Sequence, residues 1–168
     1  MIWMWKRILF WGLALVVLSA HGVVAAEKIV IKVNNRTISA YRLADFEQAK
    51  KEAKESKKHI AWIASSPKVL ENNGSITGTS GRAATSHAFA AMGDRAVLVF
   101  QDAFAENHQG PAIVDEALHT PNPHYTPPSV VILDAELSRV VGVILYEPDF
   151  ERRKEAFKNA ILQMGKPQ

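Results

Sequence analysis

The chain has 168 residues, of which 48% are apolar and 22% charged, with a formal net charge of +3 and no cysteine. This composition is ordinary for a folded globular protein and excludes a disordered chain. The missing cysteines exclude disulfide bonds, thiol catalysis and thiolate metal sites.

The first 26 residues have the layout of a secretory signal. A Lys-Arg pair at positions 6 and 7 precedes an apolar run, and small residues end the segment. This order is typical of a signal that is removed on export, and it predicts a mature chain that begins at Glu27. The domain formed by residues 27–168 is then periplasmic or secreted. An uncleaved anchor over residues 8–26 is the alternative, and only in that case do we expect membrane contact.

The charge balance excludes a nucleic-acid partner. Removal of residues 1–26 lowers the net charge from +3 to +1, because it leaves 18 basic residues against 17 acidic ones. A nucleic-acid-binding surface needs a basic stripe with interleaved aromatic residues. The one dense basic cluster, residues 48–58, has Glu52 and Glu55 interspersed at helical spacing, which indicates a solvated helix face.

Strand and helix patterns alternate along the rest of the chain. Residues 28–33 alternate in polarity and are rich in β-branched side chains, which predicts a strand. An amphipathic helix follows, and Asp45 with Gln48 is expected to form its capping box. The further predicted strands are 59–64, 96–100, 130–133 and 139–146, and the further predicted helices are 83–92, 112–118 and 149–164. This order predicts a mainly parallel sheet covered on both faces, with an antiparallel last pair.

Residues 71–82 are rich in Gly, Ser, Thr and Asn, which predicts a surface loop. A phosphate-binding loop is not expected, because the glycines lack the Lys-Ser/Thr ending of that motif. His87 is expected on a helix surface. The large aromatic side chains are expected in the core, and they are Trp62, Phe89, Phe100, Phe104, Phe150 and Phe157.

Two stretches resemble the thioredoxin family. DFEQAKKEAKESKKHIAWIASSP, residues 45–67, resembles the family's helix and apolar strand that run to the active site. TPPSVVILD, residues 126–134, followed by a turn and RVVGVILY, resembles the proline-led fourth strand and its hairpin. The resemblance covers about residues 28–164. It implies a thioredoxin-like three-layer α/β/α sandwich with a mixed sheet of four to five strands, and a cis peptide bond before Pro128.

The redox chemistry of the family does not carry over. Its C-x-x-C follows the second strand, and alignment on HIAWIA places Pro67 and Leu70 at the cysteine positions, give or take one residue. Neither side chain exchanges disulfides, so we expect no oxidoreductase activity and no cofactor. A nucleophilic serine would need a base, and His124 is the one candidate, without a supporting motif. We therefore expect no other catalysis.

The resemblance implies a surface beside the cis-proline where main-chain groups pair with an extended segment. We predict a redox-inactive module that binds an unidentified protein or peptide in the cell envelope; a permanent structural subunit of an envelope complex is a variant of this role. Simple helix capping is the alternative role for Ser65 and Ser66. The expected binding residues are Ser65, Ser66, Pro67, Lys68, His124, Tyr125, Thr126, Pro127 and Pro128.

A metal-binding or metal-carrier protein is the alternative function. His108, His119 and His124 fall within 17 residues, and imidazole is a ligand that zinc and copper accept. Solvated loop histidines are the simpler interpretation of this spacing.

Overall fold

The computed structural model describes residues 26–71, 75–105, 110–120 and 126–165, which form six strands and four helices. The strands are β1 (Ile29–Val33), β2 (Arg36–Arg42), β3 (His59–Ser65), β4 (Ala96–Asp102), β5 (Ser129–Leu133) and β6 (Val140–Ile144). The helices are α1 (Phe46–Ser56), α2 (Gly81–Met92), α3 (Ala112–His119) and α4 (Phe150–Met164). Two short 3₁₀ segments are Leu43–Asp45 and Pro67–Glu71.

The six strands form one mixed sheet in the order β1-β2-β4-β3-β5-β6. Strands β2, β4 and β3 are parallel, whereas β1, β5 and β6 each run antiparallel to the neighbour on their inner side. With β1 set aside, this is the strand order and direction of a thioredoxin-like sheet, with a helix in each crossover and one after the last strand. The predicted fold class is confirmed, with one strand more than expected.

The added strand comes from a hairpin that the sequence analysis missed. Residues Asn34 and Asn35 both have left-handed backbone angles, with φ of 48° and 61°. Two consecutive residues with these angles form a two-residue hairpin turn whose twist matches that of the flanking strands. Val33 pairs with Arg36 across this turn. The strand predicted at residues 28–33 therefore lies at the sheet edge, and β2 is the strand that pairs with β4.

The sheet separates two apolar layers because successive side chains of a strand point to opposite faces. In β3, Ala61 and Ile63 face the layer covered by α2 and α4, whereas Ile60 and Trp62 face the layer covered by α1 and α3. Trp62 is fully buried, as expected. Among the described helices, none is both long enough and apolar enough to cross a bilayer.

Three local predictions were wrong. Asp45 precedes α1 but makes no capping hydrogen bond, because a 3₁₀ turn runs directly into the helix and Asp45 lacks the extended geometry of a cap. Phe104 is exposed by 67% rather than buried, because it lies in a turn beyond the end of β4. His87 is buried rather than on the surface, because α4 packs over it. The predictions for Phe89, Phe100 and Phe157 are confirmed.

Candidate functional site

The carboxyl ends of β2, β4 and β3 meet at one edge of the sheet, because these strands are parallel. In open α/β sheets this is the edge where ligands bind. The loop before β5 reaches the same place, since Ala64 pairs with Ser129 and the preceding Pro128 therefore lies beside Ser65. We call this surface the carboxyl edge, and its residues are 42–44, 65–70, 102–104 and 126–128.

The proline loop lies against the start of α2. The peptide bond between Pro127 and Pro128 is cis, which is the bond where the sequence analysis expected this geometry. Pro128 is buried and Thr126 is exposed. A Cβ on Gly81 would lie 3.4 Å from Pro128 Cδ, so the helix start and the proline ring are in close contact. The residue of α2 that lies against Pro128 is therefore Gly81. The alignment of the sequence with the family had instead placed Pro67–Leu70 at this position.

Ser65 supports this edge from within the core. Ser65 is 2% exposed, and its hydroxyl oxygen lies 2.7 Å from Thr85 Oγ1. The Thr85 hydroxyl donates in turn to the Gly81 carbonyl, at 2.8 Å, so Ser65 is the donor of the pair. The Ser65 carbonyl accepts from the Ala103 N–H at 2.9 Å. Ser65 therefore joins β3, α2 and the end of β4, and its hydroxyl points away from solvent.

The next three residues form the outer part of the edge. Ser66 Oγ accepts from the Lys68 N–H at 3.4 Å, and the Ser66 carbonyl accepts from the Val69 N–H at 3.2 Å. Ser66 therefore makes the helix-capping contact that was the alternative to ligand binding. Pro67 and Lys68 are exposed. Arg82, in the first turn of α2, donates to the Lys68 carbonyl at 3.3 Å and fixes the 3₁₀ segment to that helix.

A groove of about 260 Å³ opens on the other side of the 3₁₀ segment. Its lining residues are Arg42, Leu43, Ala44, Pro67, Leu70, Phe100 and Asp102. Asp102 Oδ1 accepts from the Phe104 N–H at 2.9 Å, which turns the chain and leaves the Phe104 ring exposed. The groove and this ring are the apolar features that the carboxyl edge presents to solvent.

Several expected site residues lie outside the described residues, namely His108, His124 and Tyr125. His119 ends α3 and is exposed. Within the described part of the chain, no group of three or more His, Asp or Glu side chains has the spacing to hold a metal ion. The metal hypothesis, which needs His108 and His124, therefore stays a prediction.

A buried arginine near the edge escaped the sequence analysis. Arg153 of α4 is 1% exposed, and its Nε donates to His87 Nδ1 at 3.2 Å. Its other nitrogens donate, at 2.7 to 3.2 Å, to the carbonyls of Ile76, Gly78, Glu147 and Pro148. The loop before α2, residues 75–80, is therefore held by α4. A further bond, from Tyr146 Oη to the Thr79 carbonyl at 2.7 Å, holds the same loop.

The histidine in this cluster is neutral under ordinary conditions. Burial, reinforced by the positive charges of Arg153 and Lys154, lowers the pKa of His87 from 6.5 to about 4. Neutral His87 accepts from Arg153 through Nδ1, which places its own proton on Nε2. The rings of Phe150 and Phe157 lie 5.4 and 4.9 Å from the imidazole. The sequence signal was present, because positions 150, 153 and 157 share one helix face.

A second polar cluster joins β2 to α1 and lines a cavity of about 180 Å³. Lys28 Nζ and Tyr41 Oη donate to Glu52 Oε2 at 2.5 and 2.6 Å. Burial favours the neutral acid, but the two hydrogen bonds together with the positive charges of Lys28 and Lys58 outweigh it and lower the pKa of Glu52. Because Lys28, Tyr41 and Glu52 are hydrogen-bonded to one another, we regard the cluster as a structural link from the start of β1 to β2 and α1.

No known protein-family model matches the chain, and no curated protein matches its sequence. Among solved structures, the chain is similar to one titled DsbH Oxidoreductase, at 17% sequence identity and a TM-score of 0.41. The similarity covers 70% of this chain and 81% of that one. The thioredoxin-like fold stated above follows from the order and direction of the strands.

Proposed function

We propose that this protein is an exported, redox-inactive thioredoxin-like domain that binds an extended segment of another protein at its carboxyl edge. The observation that carries the proposal is that the carboxyl edge presents both the exposed ring of Phe104 and the groove lined by Pro67 and Leu70. Exposed apolar surface that is gathered on one edge of a domain is typical of a protein-binding surface. This surface lies at the edge of the sheet where ligands of such folds bind.

The polar groups of the edge support binding rather than catalysis. The chain has no thiol, and the Ser65 hydroxyl donates to Thr85. A nucleophilic serine needs a base within hydrogen-bond reach, whereas Ser65 bonds to another hydroxyl. Ser66 is engaged in capping the 3₁₀ segment. These contacts favour a binding role, in which a partner contacts the apolar groove and the exposed main chain of the edge.

The proline loop is the expected place for main-chain pairing. Thr126 is exposed and Pro127 is half-buried, and the next residue, Pro128, lies against the start of α2. An extended segment that pairs with an exposed main chain gains affinity from backbone hydrogen bonds and specificity from side-chain pockets. The groove would supply such a pocket for one side chain of the bound segment.

Site-specific photo-crosslinking tests this proposal in cells that express the full chain. A photoreactive phenylalanine analogue at Phe104 is expected to crosslink a discrete partner, and Lys68→Glu is expected to reduce the yield. The matched control is the same analogue at Leu162, an apolar residue of α4 that is 60% exposed. Equal crosslinking from positions 104 and 162, or a yield unchanged by Lys68→Glu, would contradict the proposed surface.

The export part of the proposal has its own test. Intact-mass analysis of natively expressed protein is expected to find a chain that begins near Glu27. Retention of Met1 in the accumulated protein would indicate the membrane anchor instead.

A further inference from the structure

We infer that the segment bound at the carboxyl edge is acidic, with a carboxylate that pairs with Arg42 next to an apolar side chain that enters the groove. This inference rests on the proposed function and specifies the chemistry of the partner. It follows from the size of the groove, from its apolar walls and from the charges around it.

The groove has room for one side chain. Its volume of about 260 Å³ lies just below the roughly 300 Å³ at which pockets for whole small molecules begin. Leu43, Leu70 and Phe100 provide apolar walls, and Phe100 is buried beneath the surface. A leucine-sized or phenylalanine-sized side chain of a peptide would cover this surface and exclude water from it.

The rim of the groove carries the positive charge of Arg42. Arg42 is exposed, and its guanidinium has no hydrogen-bond or salt-bridge partner among the described residues. Asp102 also lines the groove, and one of its carboxylate oxygens accepts from the Phe104 N–H. A guanidinium binds a carboxylate through two parallel hydrogen bonds, so Arg42 offers a specific site for an Asp or Glu side chain.

Two further cations lie on the far side of the 3₁₀ segment. Lys68 is exposed, and Arg82 is fixed beside it through the Lys68 carbonyl. Neither side chain forms a salt bridge with a described carboxylate. The edge and the adjoining first turn of α2 therefore carry three cationic groups and one carboxylate, and this excess of positive charge favours an anionic partner.

The lysine-rich helix α1 shows the contrast. Its cations Lys50, Lys51 and Lys54 form salt bridges with Glu47, Glu55 and Glu136. That face is neutralised by the protein's own carboxylates, although it is the densest basic cluster in the sequence. The carboxyl edge, which is less basic in sequence, has cations that no described carboxylate pairs with.

Selection from a random peptide display library tests the inference, with the full chain as purified from the cells that express it. We expect enrichment of peptides with Asp or Glu next to Leu, Ile or Phe. For a synthetic copy of a selected peptide, Arg42→Glu is expected to raise Kd by about tenfold or more, since a charge-assisted hydrogen bond contributes at least that factor. Lys158→Glu, on the exposed face of α4, is the matched control and is expected to leave Kd within about twofold.

The outcomes separate this inference from the function on which it rests. Selected peptides that lack acidic residues, and that lose binding with Phe104→Ser but not with Arg42→Glu, would retain the binding surface and overturn the acidic segment. No selected peptide, or binding that no edge variant weakens, would overturn the proposed function as well. Binding to anionic phospholipid vesicles without any peptide binding would overturn both in favour of a lipid surface.

Discussion

Arg153 and Arg42 show two contrasting environments of an arginine in this fold. Arg153 is buried and donates to four carbonyls and an imidazole, without a salt bridge in the described part of the chain. Arg42 is exposed at the groove and has no partner among the described residues. The first organises the protein's own loops, whereas the second is available to another molecule. Substitutions at the two positions should therefore affect different measurements.

Loss of the buried arginine should have the largest effect on stability. Arg153→Ala leaves the carbonyls of the 75–80 loop without their donor and opens a cavity under α4, so we expect a loss of about 3 kcal/mol or more in the free energy of unfolding. Urea denaturation measures it. The adjacent Arg152→Ala is the matched control, since that side chain is exposed, and it should cost under about 0.5 kcal/mol. Equal losses for the two variants would remove the distinction between buried and exposed arginines.

Acidification should weaken the same cluster by a comparable amount. The unfolded chain binds a proton at His87 near pH 6.5, whereas the folded protein binds it only near pH 4. The stability that neutral His87 contributes is therefore present above pH 6.5 and is lost as the pH falls towards 4, by about 3 kcal/mol at most. His87→Gln keeps an acceptor for Arg153 but does not titrate. The stability difference between wild type and this variant should shrink from pH 7 to pH 4, and a constant difference would show that His87 is not the group involved.

A buried pair on the other face of the sheet should give a smaller effect. Trp62 Nε1 donates to Gln101 Oε1 at 2.7 Å, and both residues are buried. Gln101→Leu leaves the indole N–H without this acceptor, which should cost about 1–3 kcal/mol by thermal or urea unfolding. The double variant Trp62→Phe with Gln101→Leu removes both partners. It should lose less than the sum of the two single variants, and strict additivity would argue against the hydrogen bond.

The smallest stability effects should occur at the exposed arginine and its surroundings. Arg42→Glu and Phe104→Ser each change an exposed side chain that supports no other described group, so we expect changes under about 0.5 kcal/mol. Differential scanning calorimetry should place both Tm values within a few degrees of wild type. A loss comparable to that of Arg153→Ala would show that the edge is part of the folding core rather than a surface for a partner.

The strands of the sheet were predictable where burial on both faces makes the sequence continuously apolar. The apolar runs in β3, β4 and β5 are buried on both faces, so their composition alone identified them. The hairpin that creates β2 was missed because Arg36–Arg42 mixes buried and exposed positions irregularly. The Asn34-Asn35 pair was the available signal, since asparagine tolerates the left-handed angles of such a turn.

The site was less predictable than the sheet, because long-range packing decides it. Pro128 was assigned to the edge from its place before an apolar strand, but nothing local showed that Gly81 would lie against it. Lys68 and Pro67 are exposed at this edge, whereas Ser65 faces inward. Whether a serine after a strand faces solvent or the core depends on which helix packs there, and that helix begins sixteen residues later.

The added strand β1 also changes how the sheet ends. Without it, β2 would expose its outer main-chain groups along seven residues. Strand β1 replaces that border with one of five residues, in which the outward-facing Val30 is followed by Lys32 on the same exposed face. A short border strand with a lysine resists edge-to-edge pairing between molecules, because pairing would bring like charges together and would form few main-chain hydrogen bonds. The hairpin thus protects this border of the sheet against intermolecular β-pairing.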